Sequence, residues 1–164
     1  MAWVNPTQPA VGTQAAASWA DTVSADLALV ASPAYFYAYY GGSATIIAGT
    51  NFAFGASGTI VEDSLSGWNS TNNNYVCKSP GIYLIAMQAF ATSATASLNV
   101  VAVKNGTAIW FSFAASTASL LGWNLVIPVR LALNDTIAMR TSVGYTTSPV
   151  AQINFMSLIQ MSWV

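Results

Sequence analysis

Five carboxylates and one thiol are the side chains of this 164-residue chain that could perform catalysis. They are Asp21, Asp26, Glu62, Asp63, Asp135 and Cys77. Glycoside hydrolysis needs two carboxylates on either side of a cleft, but Glu62 and Asp63 are neighbours that point to opposite faces of a predicted strand. Asp135 lies in a predicted turn. Cys77 has no histidine to act as its base, because the chain contains none, and it is expected to be a buried small residue. The sequence therefore predicts that the protein is not an enzyme.

Cations and metal ligands are equally scarce. The chain has four cations, Lys78, Lys104, Arg130 and Arg140. Four cations cannot form the basic patch that binds nucleic acid, and a single cysteine without histidine argues against a zinc site. Glu62 and Asp63, together with backbone carbonyls, could make at best a weak calcium site. We expect no cofactor and no nucleic-acid partner.

The polar segment 66–74, SGWNSTNNN, is the best candidate for ligand contact. An exposed Trp68 ring could stack on a sugar, and the amides of Asn69 and Asn72 could bind its hydroxyls. The alternative is that the asparagines supply turn geometry. The segment is therefore either a receptor loop or a set of turns.

Charged residues make up 5% of the chain, against about 25% in an ordinary soluble domain. The apolar fraction is 54%, yet no run approaches the roughly 20 apolar residues of a membrane helix. The first residues also lack the basic and apolar regions of a secretion signal. We therefore expect no membrane partner, and we expect the apolar surface to be buried between copies of the chain.

Residues 1–32 are richer in alanine than the rest of the chain and predict an N-terminal arm with a short amphipathic helix. Apolar residues recur there at helical spacing, and Ser32-Pro33 ends the pattern. The helix either packs on its own domain or attaches the protein to another one, and we favour attachment because residues 33–164 look complete without it. The predicted attachment residues are Trp3, Trp19, Val23 and Leu27.

Residues 33–164 predict an all-β, two-sheet sandwich, because short runs of strand formers alternate with turn residues. Strands are expected near 34–40, 44–48, 51–54, 59–64, 74–77, 81–91, 95–104, 107–114, 120–132, 135–143 and 150–163. Asn105-Gly106 predicts a type I′ hairpin turn, and 133–136 predicts a second turn.

Alternation assigns two faces to the longer predicted strands. One face of each is apolar enough for a sandwich core. The other combines apolar residues with Asn and Gln and has almost no charge, which suits neither solvent nor a second core. Amides can hydrogen-bond to their own copies across a symmetry axis. This mixed face therefore predicts a homo-oligomer.

Several short motifs in order resemble the tumour-necrosis-factor and complement globular-head jelly rolls over residues 34–164. Residues 79–85, SPGIYLI, resemble the Pro-x-Gly-x-Tyr strand of that family, and 133–137 and 153–159 resemble its later turn and its final strand. Asn134 stands where the family commonly has Gly, but Asn tolerates the left-handed conformation. The resemblance implies a jelly roll that trimerises about an axis through one sheet.

Carried over strand by strand, the resemblance implies nine axis-facing positions, which alternation also places on the mixed face. They are Leu84, Ala86, Gln88, Asn124, Val126, Pro128, Asn154, Met156 and Leu158.

The N-terminal sequence MAWVNP, followed by an Ala-rich helix, resembles the openings of tailed-bacteriophage structural proteins. This resemblance implies a homotrimeric capsid decoration or head-fibre protein on the virion surface, docked by its arm to other virion proteins such as the major capsid protein. The alternative is a tail or surface adhesin that binds host glycan or protein through its distal loops. A third and weaker possibility is a secreted or spore-surface head domain.

Overall fold

The computed structural model describes Ser24, Leu27 and residues 33–93, 98–114, 121–147 and 154–163. These residues form β-strands joined by turns, with one short helix in the domain. The elements are β1 Tyr35–Tyr39, β2 Thr45–Ile46, α1 Phe54–Ser57, β3 Thr59–Asp63, β4 Trp68–Asn69, β5 Asn74–Val76, β6 Gly81–Ser93, β7 Leu98–Lys104, β8 Thr107–Ala114, β9 Leu121–Leu131, β10 Thr136–Thr141, β11 Tyr145–Thr147 and β12 Phe155–Trp163.

The strands form two antiparallel sheets. The larger sheet has the order β2-β11-β6-β12-β1-β3, and β9 pairs with β6 on its other side. The smaller sheet has the order β4-β5-β10-β7-β8. Strands that are adjacent in a sheet are mostly distant in sequence, as in a sandwich with crossing connections. The predicted all-β two-sheet architecture is confirmed.

The core lies between the sheets. Alternate residues of β6 and β9 point into it, among them Tyr83, Ile85, Met87 and Leu125, all of them buried. Tyr40, Phe52 and Phe54 close one end as an aromatic cluster, with ring centroids 5.2 to 5.9 Å apart. The core faces predicted for β6 and β9 are therefore correct.

Three local predictions need correction. The strand expected at 51–54 is a single bridge at Asn51 followed by helix α1, where Phe52 and Phe54 pack on Tyr40 at the end of the core instead of continuing a sheet. The polar segment 66–74 contains β4, which pairs with β5. A further short strand, β11, pairs with β2 and β6 where a loop was expected.

Both predicted turns are confirmed. Asn105 and Gly106 have φ of 50° and 81°, the left-handed values that a type I′ turn requires. Asn134, in the second turn, has φ of 68°. Asn134 therefore adopts the left-handed conformation expected at this turn.

Candidate functional site

The outer face of the larger sheet, turned away from the smaller sheet, is the candidate functional surface. Residues that oppose each other across β1, β12, β6 and β9 form three rows on it. The rows are Tyr35–Ile159–Leu84–Pro128, Tyr37–Ser157–Ala86–Val126 and Tyr39–Phe155–Gln88–Asn124. Glu62 of β3 extends the second row, because it opposes Tyr37. Arg130 of β9 lies beyond the first row, opposite Ile82.

Large apolar side chains on the outer face are exposed to solvent. Val126 is 59% exposed, Ile82 40% and Ile159 37%. Tyr37 packs between Tyr39 and Phe155, with both ring centroids 6.0 Å away. Partial burial, together with the nearby Tyr35 and Tyr39, raises the pKa of Tyr37 above its ordinary value. A sheet face of this composition is typical of an interface.

The predicted axis-facing positions on β6 and β9 lie on this face. Leu84, Ala86 and Gln88 are half-buried, and Asn124, Val126 and Pro128 are exposed. Each residue of the first group opposes one of the second across the β6–β9 pair. They are therefore in position to meet a partner.

The face assignment for β12 is wrong. Met156 and Leu158 are fully buried, because they oppose the core residues Met87 and Ile85 of β6. Asn154 is also buried, and its side-chain oxygen accepts a hydrogen bond from the Phe90 backbone N–H at 2.6 Å. The outward residues of β12 are the alternate set of Phe155, Ser157 and Ile159.

A shallow cavity of about 260 Å³ lies at the end of the outer face where Gln88 opposes Asn124. It is lined by Gln88, Phe90, Gly122, Trp123 and Asn124. A Cβ at Gly122 would lie 2.7 Å from the Phe90 ring, so glycine lets that ring lie close to the sheet. The side-chain amides of Gln88 and Asn124 therefore line a recess whose other side chains are aromatic.

The edge cleft, a second recess of about 550 Å³, lies between β8 and β9 at one edge of the sandwich. Its lining includes Ile109, Trp110, Val126, Pro128 and Arg130. Trp110 is 54% exposed. The sequence analysis missed this feature, since it depends on the two sheets bringing β8 next to β9.

Asp135 completes the turn predicted at 133–136. Its carboxylate forms an ion pair with Lys104 at 2.8 Å and accepts hydrogen bonds from the Asn105 amide and the Ala132 N–H. These donors lower the pKa of Asp135 from 3.8 to about 2. The carboxylate is therefore structural, as predicted.

Asp63 and Cys77 are also part of the fold. The two carboxylate oxygens of Asp63 accept the backbone N–H groups of Gly67 and Trp68, each at 2.8 Å. Cys77 is fully buried, and its thiol lies 3.1 Å from the Ser79 carbonyl. Burial raises the pKa of this thiol, so it stays protonated. Within the described part of the chain, no group of three or more acidic or cysteine side chains could hold a metal ion.

The residues of the predicted receptor loop have other partners. The Trp68 ring stacks on Phe36, with centroids 5.3 Å apart and planes 13° from parallel, and meets Phe54 edge-on. The Asn69 side chain accepts the N–H groups of Thr71 and Asn72. The turn-geometry alternative is therefore the one that the structure supports.

Of the predicted attachment residues, Trp3, Trp19 and Val23 lie outside the described residues. Ser24 and Leu27 are both helical, and Leu27 is 62% exposed. None of the described helices is long and apolar enough to cross a membrane.

Comparison with known proteins is informative at the level of structure. No protein-family model and no curated protein sequence matches the chain. The Eiger tumour necrosis factor of S. frugiperda superimposes with a TM-score of 0.65 and 11% identity, over 80% of this chain and 94% of that one. The fold is a tumour-necrosis-factor-like jelly roll.

Two further structures share the jelly roll. The globular domain of zebrafish complement 1qA matches with a TM-score of 0.61 and 10% identity, over 81% of this chain and all of that domain. Murine APRIL matches with a TM-score of 0.61 and 11% identity, over 79% of this chain and all of the other. The predicted resemblance is confirmed as a likeness of fold.

Proposed function

We propose that the protein is a non-enzymatic structural protein that assembles as a homotrimer through its outer face. The exposed apolar rows of that face carry the proposal. A solvent-exposed sheet face normally carries several charged residues. On the described outer face the charged residues are Glu62 and Arg130, and they lie at its two opposite edges. Burial of such a face against copies removes its apolar surface from water, at about 25 cal/mol for each Å².

A three-fold axis through this face also explains the amides. Gln88 and Asn124 oppose each other on adjacent strands beside the shallow cavity. In a trimer they would lie near the same groups of two other copies, and amides can both donate and accept hydrogen bonds. The jelly roll supports this arrangement, because the family that it resembles trimerises through one sheet.

The trimer is proposed to serve as a capsid decoration or head-fibre protein of a bacteriophage, on the virion surface. The N-terminal leader, with its resemblance to phage structural proteins, supports that setting. Docking to other virion proteins would use residues 1–32, and the exposed Leu27 is available for such a contact. The adhesin alternative has no comparable support, because Trp68 packs against Phe36 instead of presenting its ring to a ligand.

Multi-angle light scattering of the full chain at micromolar concentration tests the assembly. We expect three times the chain mass, and a monomer would contradict the proposal. Immunogold electron microscopy of intact particles, with antibody against residues 34–164, tests the setting. Label over the head supports a decoration protein, whereas label confined to the tail tip would favour the adhesin.

The substitution Leu27→Asp in the full chain tests docking by the arm. Because an aspartate would have to be buried at the attachment site, we expect the trimer to remain while binding to particles is lost. Unchanged binding to particles would show that attachment does not use this residue.

A further inference from the structure

Glu62 is an exposed carboxylate at one edge of the outer face. It lies on β3 opposite Tyr37, and so shares the outer face with the tyrosines of β1. Asp63, the next residue, points to the other side and accepts two backbone hydrogen bonds. The Glu62 carboxylate makes no hydrogen bond or ion pair with the described residues. It is therefore a charge available to another molecule.

Arg130 is the corresponding cation at the opposite edge. It lies on β9 opposite Ile82, is exposed, and lines the edge cleft beside Pro128 and Val126. Its backbone carbonyl accepts a hydrogen bond from Lys104, but its guanidinium has no partner within the described part of the chain. Lys104 itself is paired with Asp135.

The two charges cannot meet within one chain. Four strand-to-strand steps separate β3 from β9, through β1, β12 and β6, which corresponds to about 19 Å at the usual spacing. A closed three-fold ring, however, joins each copy to the next by two different patches. One edge of the outer face then meets the opposite edge of the neighbouring copy.

We propose that Glu62 of one copy forms an ion pair with Arg130 of the next, at the edge cleft, and so sets the register of the ring. This inference rests on the proposed trimer. The aromatic residues beside Glu62 would cover the apolar wall of the cleft, including the exposed Trp110. That wall excludes water, and an ion pair is stronger in such surroundings than on an open surface.

Charge reversal tests the pair. We expect Glu62→Arg and Arg130→Glu each to raise the dissociation constant of the trimer by about ten-fold or more, since each places like charges together. The double variant restores the attraction with the signs exchanged, and its dissociation constant should return close to that of the unmodified chain. Lys78→Glu is the matched control, because Lys78 is exposed in the β5–β6 turn, away from the outer face.

Sedimentation equilibrium of all five proteins gives the outcomes. Weakened single variants, a recovered double variant and an unaffected Lys78→Glu support the pair. Single variants as stable as the unmodified trimer, or a double variant that is no better than either, would overturn it while leaving the trimer intact. An unmodified chain that is monomeric would instead overturn the proposed function. Both side chains are exposed, so circular dichroism should show a native fold throughout.

Discussion

The turn end of the jelly roll pairs its polar groups within the chain, whereas the outer face exposes large apolar side chains to solvent. At the turn end, formed by residues 104–106 and 132–136, Asp135 binds Lys104, Asn105 and Ala132. The Asn105 side-chain oxygen in turn accepts the Thr136 N–H at 2.7 Å. Polar groups here find partners within their own chain, and so this region is complete in the monomer.

The outer face differs from the turn end in its exposed apolar side chains and its separated charges. Its rows expose Val126 and Ile159 to solvent, and its charged residues, Glu62 and Arg130, lie too far apart to meet. On the inner side of the same strands, the apolar residues are already buried in the core of a single chain. The comparison indicates that the turn end stabilises the single chain, whereas the outer face is suited to assembly. Substitutions in the two regions should therefore affect different properties.

The largest expected effect is loss of the trimer on Val126→Asp. Val126 is 59% exposed at the β9 end of the second row, and an aspartate there would have to be buried without a partner in the trimer. The fold should persist because the monomer leaves this side chain in water. Light scattering should report a monomer.

Leu133→Asp is the matched control for this variant. Leu133 lies at the turn end and is 56% exposed, so the same charge is introduced at nearly the same exposure. It should remain trimeric. If both variants stay trimeric, the outer face is not the interface.

The second prediction compares neighbouring residues of β12. Leu158→Ala should lower the free energy of unfolding by about 2 to 5 kcal/mol, because it leaves a cavity in the core. Ile159→Ala removes an outward side chain, and its effect should appear as weaker trimer association. Thermal unfolding at several protein concentrations separates the two, since association makes Tm depend on concentration. Equal losses of monomer stability would contradict the face assignment.

How well the faces could be predicted depends on the contrast between them. Along β9, the outer positions Asn124, Pro128 and Arg130 differ plainly from the apolar inner set, so alternation was sufficient. Along β12 both sets contain large apolar residues. Only the pairing of Met156 with Met87 decides which set is buried, and that register is a property of two distant segments.

Local chemistry explains why the turns were predictable and the loop was not. Asn105-Gly106 favours one turn geometry whatever surrounds it. The function of Trp68 instead depends on Phe36, more than thirty residues earlier, on which its ring stacks. The edge cleft is non-local in the same way, since it exists only where β8 and β9 meet. The candidate surface on β6 and β9 could therefore be found from sequence, but its complementary edge could not.

The third prediction concerns the hairpin at the turn end. Gly106→Ala should cost about 1 to 2 kcal/mol of stability, because φ of 81° is unfavourable for a residue with a Cβ. Space is not the cause, since an added Cβ would meet nothing within 4 Å. Gly42→Ala is the matched control, because Gly42 has the same open surroundings without a left-handed φ. Urea unfolding should show a loss for Gly106→Ala alone, with the trimer preserved in both.

The smallest expected effect is a change in acid stability on Asp135→Asn. The folded protein lowers the pKa of Asp135 from 3.8 to about 2, and so the unfolded chain binds this proton more tightly. The stabilisation is therefore complete above about pH 5 and is lost as the pH falls towards 2. Because the pair is partly exposed to solvent, we expect the variant to lose about 1 kcal/mol at neutral pH.

Stability measured between pH 5 and pH 2 should accordingly fall less steeply for Asp135→Asn than for the unmodified protein. Leu133→Asn is the control, because it introduces the same amide at an exposed and uncharged position of the same turn. It should leave the pH dependence of monomer unfolding unchanged. A steep slope retained in Asp135→Asn would mean that another group carries the acid sensitivity, and that the turn end is held by its left-handed asparagines and its hydrogen bonds more than by charge.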